Sequence, residues 1–155
     1  LKYIESEKTK IENGLYKEIH LENLKGWESI MGLQLENLVL NNLQNLLKKL
    51  NIVPETLLSA SPYFQKKNKR TKACQVDLLI DTKYVVYVCE IKYRKKIGIS
   101  IIEEMEDKIN KLKDFNIKSI RPVLVYLGDI SKTVVESGYF SYCISIEEFL
   151  IGFEA

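Results

Sequence analysis

Apolar residues recur at steps of three and four from Leu35 through Val39, Leu43 and Leu46 to Leu50, which predicts a helix over residues 31–50. Leu38, Leu40 and Leu47 widen the stripe, so this helix should be covered on more than one side. Asn51 suits its C-terminal cap, and Pro54 follows. The pattern then changes to short apolar runs. Residues 57–64 read as a first strand, with Pro62 demoting its end. Residues 74–80 and 84–93 are nearly continuous apolar runs, as expected of strands covered on both faces. A second helix is predicted from about 100 to 115, with Ile101, Met105, Ile109 and Leu112 on one face. Residues 121–127 form a fourth strand, 131–138 a short helix ended by Gly138, and 142–144 a fifth strand. Ser145-Ile146-Glu147-Glu148 is a capping box that opens a final helix. The order α-β-β-β-α-β implies an α/β protein, a mixed hairpin-rich sheet with helices on its faces.

Two of the apolar runs carry acidic residues that a buried strand does not normally tolerate. Asp77 sits in Val76-Asp77-Leu78-Leu79-Ile80, and Glu90 in Val88-Cys89-Glu90-Ile91. Strand side chains alternate, so Glu90 and Lys92 point one way and Ile91 the other. A hairpin around Asp81-Thr82-Lys83 would bring Asp77 near Glu90. Two carboxylates converging in an apolar sheet repel unless a cation lies between them. The pair therefore points to a hard-metal site beside a lysine, and to metal-assisted phosphodiester chemistry. Glu36 lies on the same helix side as Leu40, Leu43 and Leu47, so its carboxylate faces the interior or a cleft. Gln75 shares the face of Asp77. The competing reading is a strand-end aspartate and a surface Glu90–Lys92 pair worth about 0–1 kcal/mol; the neighbours Val88, Cys89 and Ile91 argue against it.

These residues carry a resemblance. Asp77, twelve intervening residues and Glu90-Ile91-Lys92 resemble the PD-(D/E)XK nuclease motif. The stretch from Ala73 to Asp81, with Cys89 to Tyr93, is similar to the nuclease-like domain at the C-terminus of prokaryotic AAA-type ATPases. Trp27-Glu28-Ser29-Ile30-Met31-Gly32-Leu33-Gln34-Leu35-Glu36 fits the same group. The resemblance spans roughly residues 24–151, most of a domain of ordinary size. It implies a restriction-endonuclease-like αβββαβ core. It implies Mg²⁺ (or Mn²⁺) held by Asp77, Glu90 and the Ile91 backbone carbonyl, with Glu36 reaching the metal directly or through water, or holding Lys92. Lys92 would position the attacking water or stabilise phosphoryl charge, and Gln75 would orient a ligand or that water. It also implies DNA as substrate, and an ATPase domain preceding this one. Some positions depart from the pattern. No proline precedes Asp77, Leu35 stands where an aromatic is commoner, and Ala73-Cys74 stands where Gly-Ala is usual. None of these is a proposed ligand.

Composition changes the picture little. The chain has 155 residues, 46% of them hydrophobic, which suits one domain with a real core. Residues 1–25 read as a leader or connector and 26–155 as the nuclease-like domain. The opening at Leu1 rather than Met fits a piece cut from a longer protein. Net charge is only +2, so global charge announces no nucleic-acid binder. Local charge is more telling. Lys66, Lys67, Lys69, Arg70 and Lys72 fall within seven residues, and Lys92, Arg94, Lys95 and Lys96 within five. The first cluster is either a solvated hairpin tip or a set of phosphate contacts. Arg94, Lys95 and Lys96 directly follow the strand of Glu90 and Lys92 and are better placed to hold a phosphate. Cys74, Cys89 and Cys143 lack a CxxC spacing and read as small apolar residues in a reducing, cytoplasmic compartment. No run approaches the roughly 20 apolar residues of a membrane span. His20 is the sole histidine, which argues against a His-based mechanism.

The first expectation is thus a Mg²⁺-dependent DNA nuclease domain of an ATPase-linked protein. The second is a non-catalytic module on the same fold that binds DNA or the ATPase. The third is a purely structural dimerisation domain, the chain acting as a homodimer.

Overall fold

The computed structural model describes residues 26–112 and 118–151. The leader assigned to residues 1–25, with His20, lies outside the described residues, and the helix expected from about 100 to 115 ends at Lys111, with Leu112 extended.

The long apolar stripe folds as two helices, not one: α1 (Trp27–Asn41) and α2 (Leu43–Lys49). They part at Asn42, whose φ of −122° and ψ of 34° leave the helical region. Its side-chain amide donates to the Leu38 carbonyl at 2.8 Å, the backbone competition that makes asparagine a poor interior helix residue. The apolar spacing runs on across the break, which is why spacing alone conceals it. α2 ends as expected at Asn51, which has φ 54°. The Asn51 N–H donates to the Lys48 carbonyl and the Ile52 N–H to the Leu47 carbonyl, both at 3.0 Å, a Schellman cap.

Five strands form one mixed sheet in the order β1 (Leu57–Gln65), β2 (Cys74–Thr82), β3 (Val85–Ile97), β4 (Ser119–Ile130), β5 (Tyr142–Ser145). The first three pair antiparallel; β3–β4 and β4–β5 pair parallel. Each parallel step carries a crossover helix, α3 (Ser100–Lys111) and then α4 (Lys132–Glu136). The last helix, α5 (Ile146–Ile151), opens with the Glu148 N–H donating to the Ser145 hydroxyl at 3.2 Å, one half of the expected capping box.

The fold is α/β, with helices on both faces of the sheet. On one face Leu35, Val39, Leu46 and Phe149 pack on Cys89, Ile91, Val123 and Val125. On the other, Ile101, Met105 and Val134 pack on Val86, Val88 and Leu124. Each fully buried side chain of this size contributes about 1.5–3 kcal/mol. Two-sided burial explains the nearly continuous apolar runs of β2 and β3. Cys74 and Cys89 are buried and free, as small apolar residues are.

Two irregularities shape the site. Ser61 pairs with Leu79 and Tyr63 with Val76, so Pro62 stands opposite both Asp77 and Leu78. β1 continues through Pro62 because the strand lies at the sheet edge and the proline sits at a bulge, where its missing N–H does no harm. The bulge also resets the alternation of β2. Val76 and Leu79 both reach the α3 side, Leu78 the other, and Asp77 is the extra residue. Further along, β3 shifts register against β4 between Tyr93 and Lys96.

Candidate active site

The β2–β3 ladder runs from Asp81↔Val86 to Leu78↔Cys89 and stops there. Beyond that rung β2 stays with β1, through Val76, Gln75 and Cys74, while β3 stays with β4. A cavity of about 540 Å³ opens where the two strands part. Glu36, Gln75, Asp77, Glu90, Ile91 and Lys92 all line it. α1 delivers Glu36 from one layer, and α3 delivers Glu104, Asp107, Lys108 and Lys111 from the other.

Asp77 Oδ2 accepts the Ile91 N–H at 2.9 Å, capping the amide that the ended ladder leaves free. The N–H and C=O of one strand residue leave the backbone on the same edge, so the Ile91 carbonyl also faces the gap. Glu90 is only 6% exposed, and both its oxygens are engaged. Lys92 Nζ lies 3.2 Å from Oε1, as the alternation predicts, and Lys108 Nζ bonds to Oε2. Glu104 binds Arg94 through both oxygens at 3.1 Å, in fork geometry, and sits 3.8 Å from Lys92. Lys111 pairs with Asp107 at 2.6 Å, one turn apart.

The electrostatics record crowded carboxylates. Burial first, and then the charge of Glu90, push Asp77 up to about 6, against the pull of the Ile91 N–H and Lys108. Glu36 is raised by the same two causes in the same order. Burial works to lower Lys108, but the charge and hydrogen bond of Glu90 outweigh it and leave the ammonium raised.

The donor chemistry suits a hard cation. Five carboxylates line the cavity against three ammonium groups, so it repels a phosphate unless a further positive charge enters. Among the described residues no three acidic, histidine or cysteine groups stand close enough to cage a metal by themselves. Mg²⁺ needs no such cage, because it keeps several waters and is commonly held by one or two carboxylates plus substrate phosphates. Asp77, Glu90 and the Ile91 carbonyl meet that requirement.

The remaining candidates divide. Lys67, Lys69, Arg70 and Lys72 line a second cavity of about 370 Å³ that shares Asp107 and Lys111 with the first. Lys66 is exposed and lines neither. Arg94 is held by Glu104, while Lys95 and Lys96 are exposed outside both cavities. Sequence reasoning missed Glu104 and Asp107. Their signal was the apolar stripe of Ile101 and Met105, which fixes the face of α3 turned to the sheet. Tyr84 is 73% exposed at the hairpin tip, whereas Tyr87 is buried.

The fold is similar to that of a protein of unknown function, AF1548, with a TM-score of 0.52 at 10% identity, over 77% of this chain and 65% of that one. A repair endonuclease from Pyrococcus abyssi aligns over 70% of this chain and 43% of that one, at 18% identity and a TM-score of 0.44. The chain thus spans less than two thirds of either neighbour, and at such identity the likeness to AF1548 concerns the fold alone. No protein-family model matches the chain, and no curated protein matches it in sequence. No helix among the described residues is long and apolar enough to cross a membrane.

Proposed function

We propose that this domain is a Mg²⁺-dependent (or Mn²⁺-dependent) DNA phosphodiesterase of the PD-(D/E)XK type, the nuclease part of an ATPase-linked protein. One observation carries the reading. Glu36, Asp77, Glu90 and Lys92 come from three elements and converge on one cavity where β2 and β3 part. Asp77, Glu90 and the Ile91 carbonyl would hold the metal, with Glu36 beside them. Bound there, the metal would supply charge neutralisation at the phosphate and an activated water. Asp77 fixes the Ile91 backbone, and so fixes where the strand presents its carbonyl. Lys92 directs its ammonium into the same space and would oppose charge on the phosphoryl oxygens. Gln75 lies at the exposed rim, within reach of substrate or water.

The test is cleavage of linear and circular DNA with Mg²⁺, with Mn²⁺ and with EDTA, beside Glu90→Ala and Lys92→Ala. Metal-dependent cutting that falls at least about a hundredfold in both variants supports the assignment. Absence of Mg²⁺ and Mn²⁺ binding by the wild type sinks it, whatever the cutting assay gives.

A second reading has its own observation. Both oxygens of Glu90 are already held by lysines, so that carboxylate is paired without a metal. In that case the domain would be a binding module for DNA or for the ATPase. Partner binding would then survive Glu90→Ala unchanged.

A further inference from the structure

The loop between β1 and β2 is tied down, and it is tied to α3. Gln65 Nε2 donates one hydrogen to the Lys72 carbonyl at 2.7 Å and the other to the Lys111 carbonyl at 2.6 Å. The two ends of the loop and the last turn of α3 therefore meet at one side chain. Inside the loop, Asn68 Oδ1 accepts the Arg70 and Thr71 N–H groups, each at 2.7 Å. A solvated hairpin tip needs no such anchoring.

What the anchoring holds is charge. The loop cavity is lined by five cationic side chains against one carboxylate, Asp107, which Lys111 already neutralises. The adjoining Asp77/Glu90 cavity has the opposite balance. Lys111 belongs to both walls, and Lys108 stands one turn before it on α3. Basic side chains thus run from Glu90 along α3 to the loop, Lys108 and Lys111 each with a carboxylate partner and the loop carrying the excess positive charge that a line of phosphates attracts.

We infer that the β1–β2 loop and the last turn of α3 form a second phosphate subsite, which grips the DNA backbone beside the strand segment being cut. The inference rests on the reading of the Asp77/Glu90 cavity as a phosphodiester site, and it specifies the substrate as a polymer rather than a nucleotide. The loop subsite contains no proposed metal ligand, so its hold on DNA is independent of metal.

The test is the affinity of the full chain for a labelled DNA strand of about 20 nucleotides and for its duplex, read in EDTA across a salt series. A variant carrying Lys67→Gln, Lys69→Gln and Arg70→Gln is compared with one carrying Lys48→Gln and Lys49→Gln on the exposed face of α2. We expect the loop variant to lose about tenfold or more in affinity at low salt, and its slope of log affinity against log salt to fall by about 2–3. Equal affinity and slope in the two variants overturn the subsite, as does a wild type that binds no DNA at low salt. Either failure leaves the metal site standing, because metal-dependent cleavage reads it separately. Loop-dependent binding in a protein that binds neither Mg²⁺ nor Mn²⁺ keeps the loop's hold on DNA and removes the nuclease reading instead.

Discussion

The Asp77 carboxylate holds the Ile91 amide at 2.9 Å, where a further rung of the β2–β3 ladder would otherwise lie. Losing that rung opens the cavity, and the side chain keeps β3 from carrying an unpaired buried N–H. The price is a carboxyl buried near Glu90 and pushed up to about 6 from its ordinary 3.8.

That shift has a sign. The folded, metal-free protein holds the Asp77 proton more tightly than the unfolded chain does. At neutral pH both states are ionised, and the buried charge costs stability. The cost is relieved as pH falls through about 6 and is gone below the unfolded value near 3.8. Asp77→Asn keeps an acceptor for the Ile91 N–H and removes the charge. In EDTA at about pH 7.5 the variant should be more stable than wild type by about 1–3 kcal/mol, the gap closing near pH 4. Urea unfolding across pH measures it. A variant less stable than wild type at neutral pH contradicts the burial argument.

Two glycines should respond in opposite ways to alanine. Gly128 in β4 has φ 123°, and a Cβ there would stand 1.7 Å from the Arg94 carbonyl oxygen. That carbonyl belongs to the irregular stretch of β3 from which Arg94 reaches Glu104. The clash is backbone on backbone, so Gly128→Ala should cost about 3 kcal/mol or more. Gly32 lies inside α1, and a methyl group on its Cα would meet nothing within 4 Å. Gly32→Ala should gain about 0.5–1 kcal/mol from helix propensity alone. Thermal unfolding of the two proteins under one condition is sufficient, and a similar response in both refutes the account.

The strands and their polar intruders were legible because strand alternation is a short-range rule. Two-sided burial writes itself as an apolar run, and Glu90 and Lys92 stand out against Val88, Cys89 and Ile91. The bulge at Asp77 left only an indirect mark, Pro62 in the partner strand. Lys108 was harder. A lysine among Glu103, Glu104, Glu106 and Asp107 has the composition of a solvated helix face. Only the crossover from β3 to β4 lays that face over Glu90, and such long-range placement is not encoded in local spacing.

Gln65 offers a test of order that leaves every charge in place. Its two amide hydrogens hold the Lys72 and Lys111 carbonyls, and leucine of similar size can do neither. Gln65→Leu should lose about 1–2 kcal/mol. It should also speed tryptic cutting within the lysine-rich loop, with little change in the core strands. Limited proteolysis and amide exchange read the two effects separately. Unchanged protection of the loop would show that something other than Gln65 anchors it.

Lys108 sets the last prediction. Its ammonium bonds to Oε2 of a carboxylate that is only 6% exposed, and that same carboxylate is one of the proposed metal ligands. Ammonium and metal would compete for one oxygen. In metal-free protein Lys108→Met leaves Glu90 with Lys92 alone at 3.2 Å, so stability should fall by about 1–3 kcal/mol. With Mg²⁺ the order reverses. A cation entering the variant displaces no ammonium and relieves a poorly compensated buried charge, so calorimetry should show tighter binding than in wild type. The metal should also return much of the lost stability. Cleavage need not follow affinity, because the same lysine stands where it would meet substrate phosphate, and activity should fall even as the metal binds better. Weaker Mg²⁺ binding in Lys108→Met would mean that Lys108 holds the carboxylates in place for the metal rather than standing in for it.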